Sequence, residues 1–530
     1  MSEQLALLPG YLNAHLQLSL LALSVGIGLS VPLGIAASRR PRMEAVVLGA
    51  ASVIQTIPGL ALLAIMVPVL AAIGVYTARF GLPLHGIGMA PALVALSLYS
   101  LLPILRNTVS GLRSVDPDLV EAARGVGMTR RQRLRRVELP LALPILVAGI
   151  RTAAVWTVGM ATLSTPVGAT SLGNFIFSGL QTRNDNAILV GCVAAAALAL
   201  LLDQLIQLVE AGTRRRSRAR VLGGLVPLLA LYLYAAGSAL AAARDDAPAP
   251  VVIGAKAFTE QYVLADIVAG RIAETSHAAT RIVSSLGSTV AFDALAAGEI
   301  DLYVDYSGTL WVTILKRRAP PARSKVIREI REYLERNYGI QVVCALGFEN
   351  RYALAMRGKE ARRLSLHDLS DLIPLAPKLS IGADYEFFQR PEWPALVKRY
   401  GLHFRSQRSM DPALMYQALA QGDVDIITAF STDGRIASYD LQLLDDDRNA
   451  IPPYDALLLA GPRIVEQRPE VLRGLRGLAG TIGAEQMRRM NLAVDGGGET
   501  PAKVAKTFLS QQARATAPGQ DGGGASTLSP

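Results

Sequence analysis

The chain has 530 residues, of which 51% are hydrophobic and 18% charged, and its formal net charge is +10. Residues 1–243 hold 19 arginines, no lysine and nine acidic residues, so the whole excess lies in the half with the long apolar runs. This distribution argues against a soluble nucleic-acid-binding protein. The two cysteines, Cys192 and Cys344, fall in different halves, which excludes a disulfide framework, and no residues show metal-ligand spacing.

Six apolar stretches are each long enough to cross a hydrocarbon core of about 30 Å. They lie near residues 12–38, 44–73, 87–105, 141–162, 187–210 and 221–243. The first has no basic N-terminal region and is too long for a signal peptide, which argues against a cleavable signal. We therefore expect a membrane domain at 1–220 with about five spans, and a sixth span or anchor at 221–243.

The arginines predict how the spans are oriented. Sixteen of them lie in the loops at 39–43, 106–140 and 212–220, whereas the intervening loops contain only Arg79 and Arg183. Positively charged loops are retained on the cytoplasmic side of a membrane. The sequence thus predicts a multi-pass inner (plasma) membrane protein with these three loops inside and everything after the sixth span extracytoplasmic.

Two spans contain residues that are costly in lipid. The second includes Gln55, Thr56, Pro58, Gly59 and Pro68. Such residues interrupt a helix, and they are tolerated where protein or a water-lined cavity satisfies the exposed backbone. The segment is therefore either a kinked packing helix or part of a translocation path. Arg151, in the fourth span, is expected to face the bundle or to extend toward the interface.

The loop at 106–140 contains a short predicted helix. Asp116 is a suitable N-cap and Pro117 a suitable first helical residue, while Gly125 or Gly127 would end the helix. Its alanine-rich face is suited to docking in the groove of a partner. The alternative is an ordinary solvated loop whose arginines fix the membrane topology.

This loop resembles the coupling loop of permease subunits in ATP-binding-cassette (ABC) importers. The similarity rests on Glu121-Ala122-Ala123, on Gly127 and on the pair Leu139-Pro140. It implies a permease of the type I importer class, whose residues Glu121, Ala122, Ala123 and Gly127 contact a separate cytoplasmic ATPase, and two permease copies per transporter. The chain contains no G-x-x-x-x-G-K-[ST] motif, so we expect ATP on the partner ATPase and no cofactor in this chain.

Composition changes after the sixth span. Residues 244–250 indicate a short, stiff linker. Short β-rich apolar runs then alternate with helical stretches, which predicts an extracytoplasmic α/β domain over residues 251–512, with two lobes and a ligand crevice between them. The expected segments are lobe 1 at about 251–352 and 454–512, lobe 2 at about 353–453, and a disordered tail at 513–530.

Several motifs in this second half occur in the order found in the substrate-binding proteins of quaternary-amine (osmoprotectant) importers, which this half resembles. They are Gly254-Ala255-Lys256, Phe258-Thr259-Glu260-Gln261, Leu286-Gly287-Ser288, Tyr306-Ser307-Gly308-Thr309, Phe430-Ser431-Thr432-Asp433-Gly434-Arg435, and Asp447 followed by Pro452-Pro453-Tyr454-Asp455. The resemblance implies a fold like that of the two-lobed periplasmic binding proteins, and a ligand such as glycine betaine, carnitine or choline.

A trimethylammonium group has no hydrogen-bond donor, so its recognition depends on aromatic faces around the cation. The resemblance implies that Tyr306, Tyr352 and Phe430 form this cage, and that Asn350 lies at its rim. Without the resemblance, tyrosines and phenylalanines at strand ends would be interpreted as the edge of a hydrophobic core.

A zwitterionic ligand also requires groups that bind its carboxylate. The resemblance implies Lys256, Thr309 and Arg390 for this role, with Glu386 one turn before Arg390. Glu386 could instead only pair with Arg390 at a spacing of four residues. A further cage aromatic is missing near Arg408, and we expect that arginine to bind an anionic group or to line a larger pocket, which favours a carboxylated ligand over choline.

Together these features predict the permease and substrate-binding subunit of an ATP-driven importer, fused in one chain, for zwitterions such as glycine betaine or carnitine. Ergothioneine or another amino-acid derivative is the alternative substrate within the same class. A cationic or neutral amino acid is a further possibility, in which Arg408 would be the main ligand clamp. A membrane-anchored ligand sensor is a less favoured alternative, because it would need a cytoplasmic output domain. No arrangement of residues indicates a catalytic site.

Overall fold

The computed structural model describes residues 2–77, 86–182, 184–243, 249–317, 323–390 and 392–516. Arg79, Arg183, most of the predicted linker at 244–250 and most of the predicted tail at 513–530 lie outside these residues. The chain divides into two compact units, one of residues 1–249 with 283–300 and one of residues 250–282 with 301–530.

The membrane half, residues 1–243, is entirely helical where it is described. Its helices are α1 (Ser2–Ala37), α2 (Pro41–Thr56), α3 (Gly59–Thr77), α4 (Met89–Arg113), α5 (Pro117–Gly125), α6 (Arg130–Arg133), α7 (Leu139–Ala161), α8 (Gly173–Gln181), α9 (Asp185–Arg214) and α10 (Arg218–Ala243). Within the described residues, five helical segments are long and apolar enough to cross a membrane, and α2 with α3 makes a sixth if a bent pair counts as one span.

The second predicted span is not one continuous helix. Its two helices, α2 and α3, meet at an angle of 102°. Ile57, between them, has an extended backbone (φ −70°, ψ 128°), because a residue that precedes proline is disfavoured in the helical region and Pro58 has no N–H to donate. The expected interruption of the helix is confirmed, whereas Pro68 lies within α3 and does not end it.

Close helix contacts in the membrane half depend on small residues. A Cβ added to Gly34 of α1 would lie 2.7 Å from the Thr108 side chain of α4, and one added to Gly149 of α7 would lie 2.5 Å from the Asn107 side chain. In a membrane the hydrophobic effect does not drive helices together. Small residues at these contacts let the helix backbones approach closely and pack by van der Waals contact. Arg151 of α7 faces the bundle, as expected, and forms ion pairs with Asp203 and Glu210 of α9.

Helix α5 lies where the coupling loop was predicted to contain a helix. The Asp116 carboxylate accepts the N–H of Asp118 at 2.9 Å, and Pro117 occupies the first turn. Gly127, with φ +82°, follows the end of the helix in a backbone conformation that favours glycine. A π-helical turn at Leu134–Glu138 joins the next segment to α7.

Beyond residue 250 the chain forms two five-stranded sheets. The strands are β1 (Val251–Lys256), β2 (Thr280–Leu286), β3 (Leu302–Tyr306), β4 (Gln341–Glu349), β5 (Tyr352–Arg357), β6 (Ser380–Ala383), β7 (Ser406–Ser409), β8 (Ile426–Phe430), β9 (Leu441–Leu444) and β10 (Asp455–Ala460). Their order is β2-β1-β3-β10-β4 in the first sheet and β7-β6-β8-β5-β9 in the second. The predicted α/β class is confirmed, and the strands form two separate sheets.

The helices of this half alternate with the strands. They are α11 (Thr259–Thr275), α12 (Ser288–Ala296), α13 (Ser307–Thr309), α14 (Arg323–Tyr338), α15 (Gly358–Leu364), α16 (Glu392–Tyr400), α17 (Pro412–Gln421), α18 (Arg435–Ser438), α19 (Pro462–Gln467), α20 (Pro469–Leu475), α21 (Ala484–Asp495) and α22 (Pro501–Thr516). The chain passes from the first sheet to the second between β4 and β5, and returns between β9 and β10. Tyr352 therefore begins the second sheet.

Candidate ligand-binding site

Four aromatic side chains from the two sheets and from the segment after β1 lie close together. Tyr306 ends β3 and Phe258 follows β1, whereas Tyr352 and Phe430 are paired neighbours on β5 and β8. The Phe258 ring lies 6.2 Å from Tyr306 and 5.8 Å from Phe430, and the Tyr352 ring lies 5.0 Å from Phe430. The structure thus brings together the three predicted cage residues and adds Phe258. We call these four residues the ring cluster.

Two further rings contact Tyr352 of the ring cluster. The Phe387 ring lies 5.0 Å from that of Tyr352, and the Tyr454 ring lies edge-on at 5.9 Å. Sequence reasoning missed these two residues and Phe258. Phe258 and Tyr454 both stand in motifs that the sequence offered, but nothing in those motifs indicated which members would face the crevice.

Glu260, at the start of α11, is a buried carboxylate that accepts four hydrogen bonds. Oε1 accepts from the Tyr306 hydroxyl at 2.5 Å and from Asn350 Nδ2 at 3.0 Å, and Oε2 accepts from the Thr432 hydroxyl and from Asn491 Nδ2 at 3.2 Å. Burial raises the pKa of Glu260 above its ordinary value, against the lowering effect of its donors. Sequence reasoning did not select Glu260.

The hydrogen bonds of Glu260 connect the two lobes. Thr432 follows β8 of the second sheet, whereas Tyr306 and Glu260 belong to elements of the first. A small concavity adjoins this cluster, and its lining residues are Phe258, Thr259, Glu260, Asn350, Phe430, Thr432, Asp433, Arg435, Asn491 and Asp495. Two of the predicted residues, Asn350 and Phe430, are thus placed together at the crevice.

Lys256 lies close to the ring cluster but is already paired. Its ammonium group lies 2.5 Å from Asp305 Oδ1, and both side chains are buried. The same ammonium lies 5.8 Å from the ring centroids of Tyr303 and Tyr306. Its charge is therefore paired within the protein, and a role for Lys256 toward a ligand carboxylate stays a prediction.

Arg390 lies against Tyr352, with its guanidinium carbon 5.4 Å from the ring centroid. It donates to Glu392 at 2.9 Å and to the Tyr454 hydroxyl at 3.2 Å. Glu386 pairs with it more loosely at 3.7 Å, and the Glu386 side chain is 57% exposed. Arg390 therefore lies at the ring cluster with its charge paired to Glu392, and Glu386 is a looser partner one turn away.

Thr309 and Arg408 are the remaining predicted ligand contacts. Thr309 ends α13, directly after Tyr306 and β3, and is half-buried. Arg408 is exposed on β7, an edge strand of the second sheet, where its guanidinium donates to the Asp423 carbonyl at 3.2 Å. Since that position is exposed, Arg408 is not among the residues that line the small concavity at the ring cluster, and its role toward a ligand stays a prediction.

The predicted ATPase-contacting residues lie on and after α5. Glu121, Ala122 and Gly127 are exposed, whereas Ala123 is buried against the bundle. Leu119 and Val126 are 49% and 75% exposed, so the outer face of this helix is apolar at both ends. Over the described residues, no group of three or more His, Cys, Asp or Glu side chains is placed to hold a metal ion.

The sequence matches the models of two protein families. Residues 27–215 match "Binding-protein-dependent transport system inner membrane component", and residues 249–511 match "Substrate binding domain of ABC-type glycine betaine transport system". The first match runs from the last part of α1 to the end of α9 and includes α5, and the second covers both sheets. The chain is therefore an inner membrane protein with a transport role.

Individual relatives match one or both halves. The ergothioneine transport permease/ergothioneine binding protein EgtU of Helicobacter pylori is 32% identical over 90% of this chain and 86% of its own length. The glycine betaine/carnitine/choline transport system permease protein OpuCB of Bacillus subtilis is 41% identical over 37% of this chain and 83% of its own. The carnitine transport binding protein OpuCC of Listeria monocytogenes is 31% identical over 54% of this chain and 94% of its own. The chain therefore belongs to the ABC importers of the glycine betaine/carnitine/choline family, in the form that fuses the permease and the substrate-binding domain.

Proposed function

We propose that this chain imports a trimethylammonium zwitterion, which its two-lobed domain captures outside the cell. The observation that carries the proposal is the ring cluster, in which both sheets contribute aromatic faces to one place. Each aromatic face beside a desolvated cation contributes about 0.5–2 kcal/mol. A cage with contributions from both lobes also favours the closed domain when ligand is bound, because only a differential interaction shifts such an equilibrium.

Arg390 supports a ligand that also carries a carboxylate. Its side chain is 10% exposed, lies over Tyr352 and pairs with the buried Glu392, so it places a guanidinium beside the rings. Its hydrogen bonds to Glu392 and to the Tyr454 hydroxyl use Nε and Nη2 and fix the guanidinium. Nη1, which lies 3.7 Å from Glu386, keeps N–H groups that can donate to a ligand. Choline has no carboxylate to use this charge, whereas betaine, carnitine and ergothioneine each have one.

Ergothioneine is the second candidate, and the similarity to EgtU favours it. That relative is named for ergothioneine transport and binding, and its likeness to this chain extends through both halves. Ergothioneine is itself a trimethylammonium zwitterion, so the ring cluster and Arg390 would serve it in the same way. The relatives named for carnitine and glycine betaine support those two ligands to the same degree, because both ligands also carry a trimethylammonium group and a carboxylate.

The proposal includes a separate cytoplasmic ATPase that contacts α5, and a second copy of the permease. The exposed apolar ends of α5, Leu119 and Val126, with Glu121 and Ala122 between them, form a surface suited to a partner groove. The excess of arginine in the loops around α5 supports its cytoplasmic position. It also supports an extracytoplasmic binding domain.

The test is calorimetry on the full chain in lipid nanodiscs with glycine betaine, carnitine, choline and ergothioneine. We expect at least one carboxylated member to bind, and choline to bind more weakly than that member. Binding of arginine, lysine or a neutral amino acid instead of these four would contradict the proposal. An Arg390→Gln variant is the matched control, since it should weaken the zwitterions and leave choline unchanged.

A further inference from the structure

Two ion pairs connect the coupling region to the corner between α1 and α2, defined as residues 38–44. Arg39, in this corner, pairs with Glu138 at the start of α7. Glu44, in the first turn of α2, pairs with Arg113 in the last turn of α4. Because α4 leads into α5 and the segment after α5 leads into α7, the corner is attached on both sides of the coupling helix.

The pair with Glu138 is the more buried of the two. The Glu138 side chain is 4% exposed and also accepts from Arg133 Nε at 2.8 Å. Its carboxylate therefore lies between one guanidinium from the coupling region and one from the α1–α2 corner. Such an arrangement resists separation, because removal of one partner leaves a buried charge poorly compensated.

Glu138 also ends the π-helical turn at Leu134–Glu138. A π-helical turn contains an extra residue relative to an α-helix and is common at sites where a helix performs a function. Here it lies between α6 and α7, in the route from the coupling helix to the first long helix that follows it. The turn places Glu138 toward the protein interior, where it is buried.

The corner is followed by α2, which ends at the 102° break before Pro58. The carbonyl of Ile57, at this break, accepts a hydrogen bond from the Tyr99 hydroxyl of α4. Proline removes a backbone hydrogen bond at the break, so this is the point at which the α2–α3 pair has the least internal resistance to bending.

We infer that Arg39 and Glu138 are positioning residues for energy coupling: they transmit displacement of α5 to the α1–α2 corner, and so to the angle between α2 and α3. The inference rests on the proposed docking of an ATPase at α5. A displacement of α5 moves the end of α4 before it and the start of α7 after it. The pair Arg113–Glu44 connects α4 to the α1–α2 corner, and the pair Arg39–Glu138 connects α7 to the same corner. The broken second span then changes its angle, while the rest of the bundle keeps its packing.

The experiment reconstitutes the full chain with its ATPase in liposomes and measures how much glycine betaine, carnitine or ergothioneine is imported per ATP hydrolysed. Glu138→Gln and Arg39→Gln should each lower this ratio by about 2- to 30-fold, the usual range for residues that carry coupling between sites. The double variant should be no worse than Glu138→Gln, since both changes break one connection. Co-purification with the ATPase and ligand binding should remain unchanged.

Arg363→Gln is the matched control, because it breaks an exposed ion pair with Glu360 in the binding domain. It should leave the ratio unchanged. If Glu138→Gln fails to fold, the result for Arg39→Gln is used alone. Arg39 is 41% exposed, and its replacement leaves the Glu138 carboxylate paired with Arg133. An unchanged ratio in a folded variant overturns the inference. Failure of the unmodified chain to import ligand with ATP would instead contradict the proposed function.

Discussion

At the scale of single residues, Glu260 shows how a buried charge organises the crevice. Its carboxylate accepts hydrogen bonds from Tyr306, Asn350, Thr432 and Asn491, so one side chain holds two predicted site residues and ties them to the second lobe. Burial without such donors would cost several kcal/mol. The site is therefore held by a polar network beneath the rings, and this network is sensitive to the charge of Glu260.

Substitution of Glu260 by Gln should change how stability depends on pH. Because the pKa of Glu260 is raised in the folded domain, its contribution to stability is greatest below its unfolded pKa and declines as pH rises through the folded pKa. The melting temperature of the unmodified chain minus that of Glu260→Gln should therefore rise as pH falls from about 8 to about 5. Thermal unfolding in detergent measures this difference, and a difference that grows with pH would contradict the direction of the shift.

Phe430 allows the aromatic contribution to be separated from apolar burial. Phe430→Leu retains a bulky apolar side chain and removes the aromatic face. Ligand affinity should therefore fall by about 2- to 30-fold, which is the loss expected when one cation–π contact is removed. Phe430→Tyr keeps the face and is the control, expected to bind within about twofold of the unmodified chain. Calorimetry on the full chain measures both. Equal affinity of the Leu and unmodified chains would remove Phe430 from the cage.

At the scale of elements, α5 and the broken second span carry the features that a permease needs. Asp116, Pro117 and Gly127 fix where α5 begins and ends, and its exposed apolar ends leave a surface for a partner. The break before Pro58 divides the second span into two helices. Both elements arise from local backbone rules, since proline and glycine determine the boundaries in each case.

Glu121→Lys reverses one charge on the exposed face of α5. We expect uptake to be lost while ligand binding by the outer domain is unchanged, because the substitution acts at the surface proposed for the ATPase and not at the crevice. Uptake into liposomes and calorimetry measure the two effects. Glu335→Lys, a reversal at an exposed position of α14, is the control and should leave uptake intact. Weaker ligand binding in Glu121→Lys would contradict this separation of roles.

At the scale of the whole molecule, the two halves have different tasks and different charge. The arginine excess lies in the membrane half, while the binding domain is neutral overall. Long-range attraction of a charged ligand to the binding domain is therefore weak, and capture depends on the few groups placed at the crevice. The positive charge serves instead to orient the spans.

The proposed orientation can be tested with single cysteines in a chain whose Cys192 and Cys344 are replaced by Ser. Arg488→Cys, at an exposed position of α21, should react with a membrane-impermeant maleimide on intact cells. Arg215→Cys, after α9, should react only once the membrane is permeabilised. Mass-tag gels measure both reactions. The reverse pattern would contradict the predicted orientation.

The sequence predicted the helical membrane half, the boundaries of α5 and the α/β class of the second half, because these depend on apolar length, helix caps and alternating patterns that neighbouring residues determine. It also predicted Tyr306, Tyr352, Phe430 and Arg390 as site residues, through resemblance. It did not identify Glu260, whose role depends on three donors 90 or more residues away in the chain. The resemblance gave Lys256 a role in binding an anionic group, and the missing cage aromatic gave Arg408 a similar one.

Only the tertiary structure decided how each predicted charged group is paired and exposed. Lys256 is neutralised by Asp305, Arg408 lies on an exposed edge strand, and Arg390 lies over Tyr352. The physical reason is that burial and pairing depend on contacts between strands that are distant in sequence, whereas caps, breaks and membrane spans depend on residues a few positions apart. The sequence by itself thus determined the parts of this importer, their order and the side of the membrane predicted for each, and the packing of the two sheets decided which residues make its site.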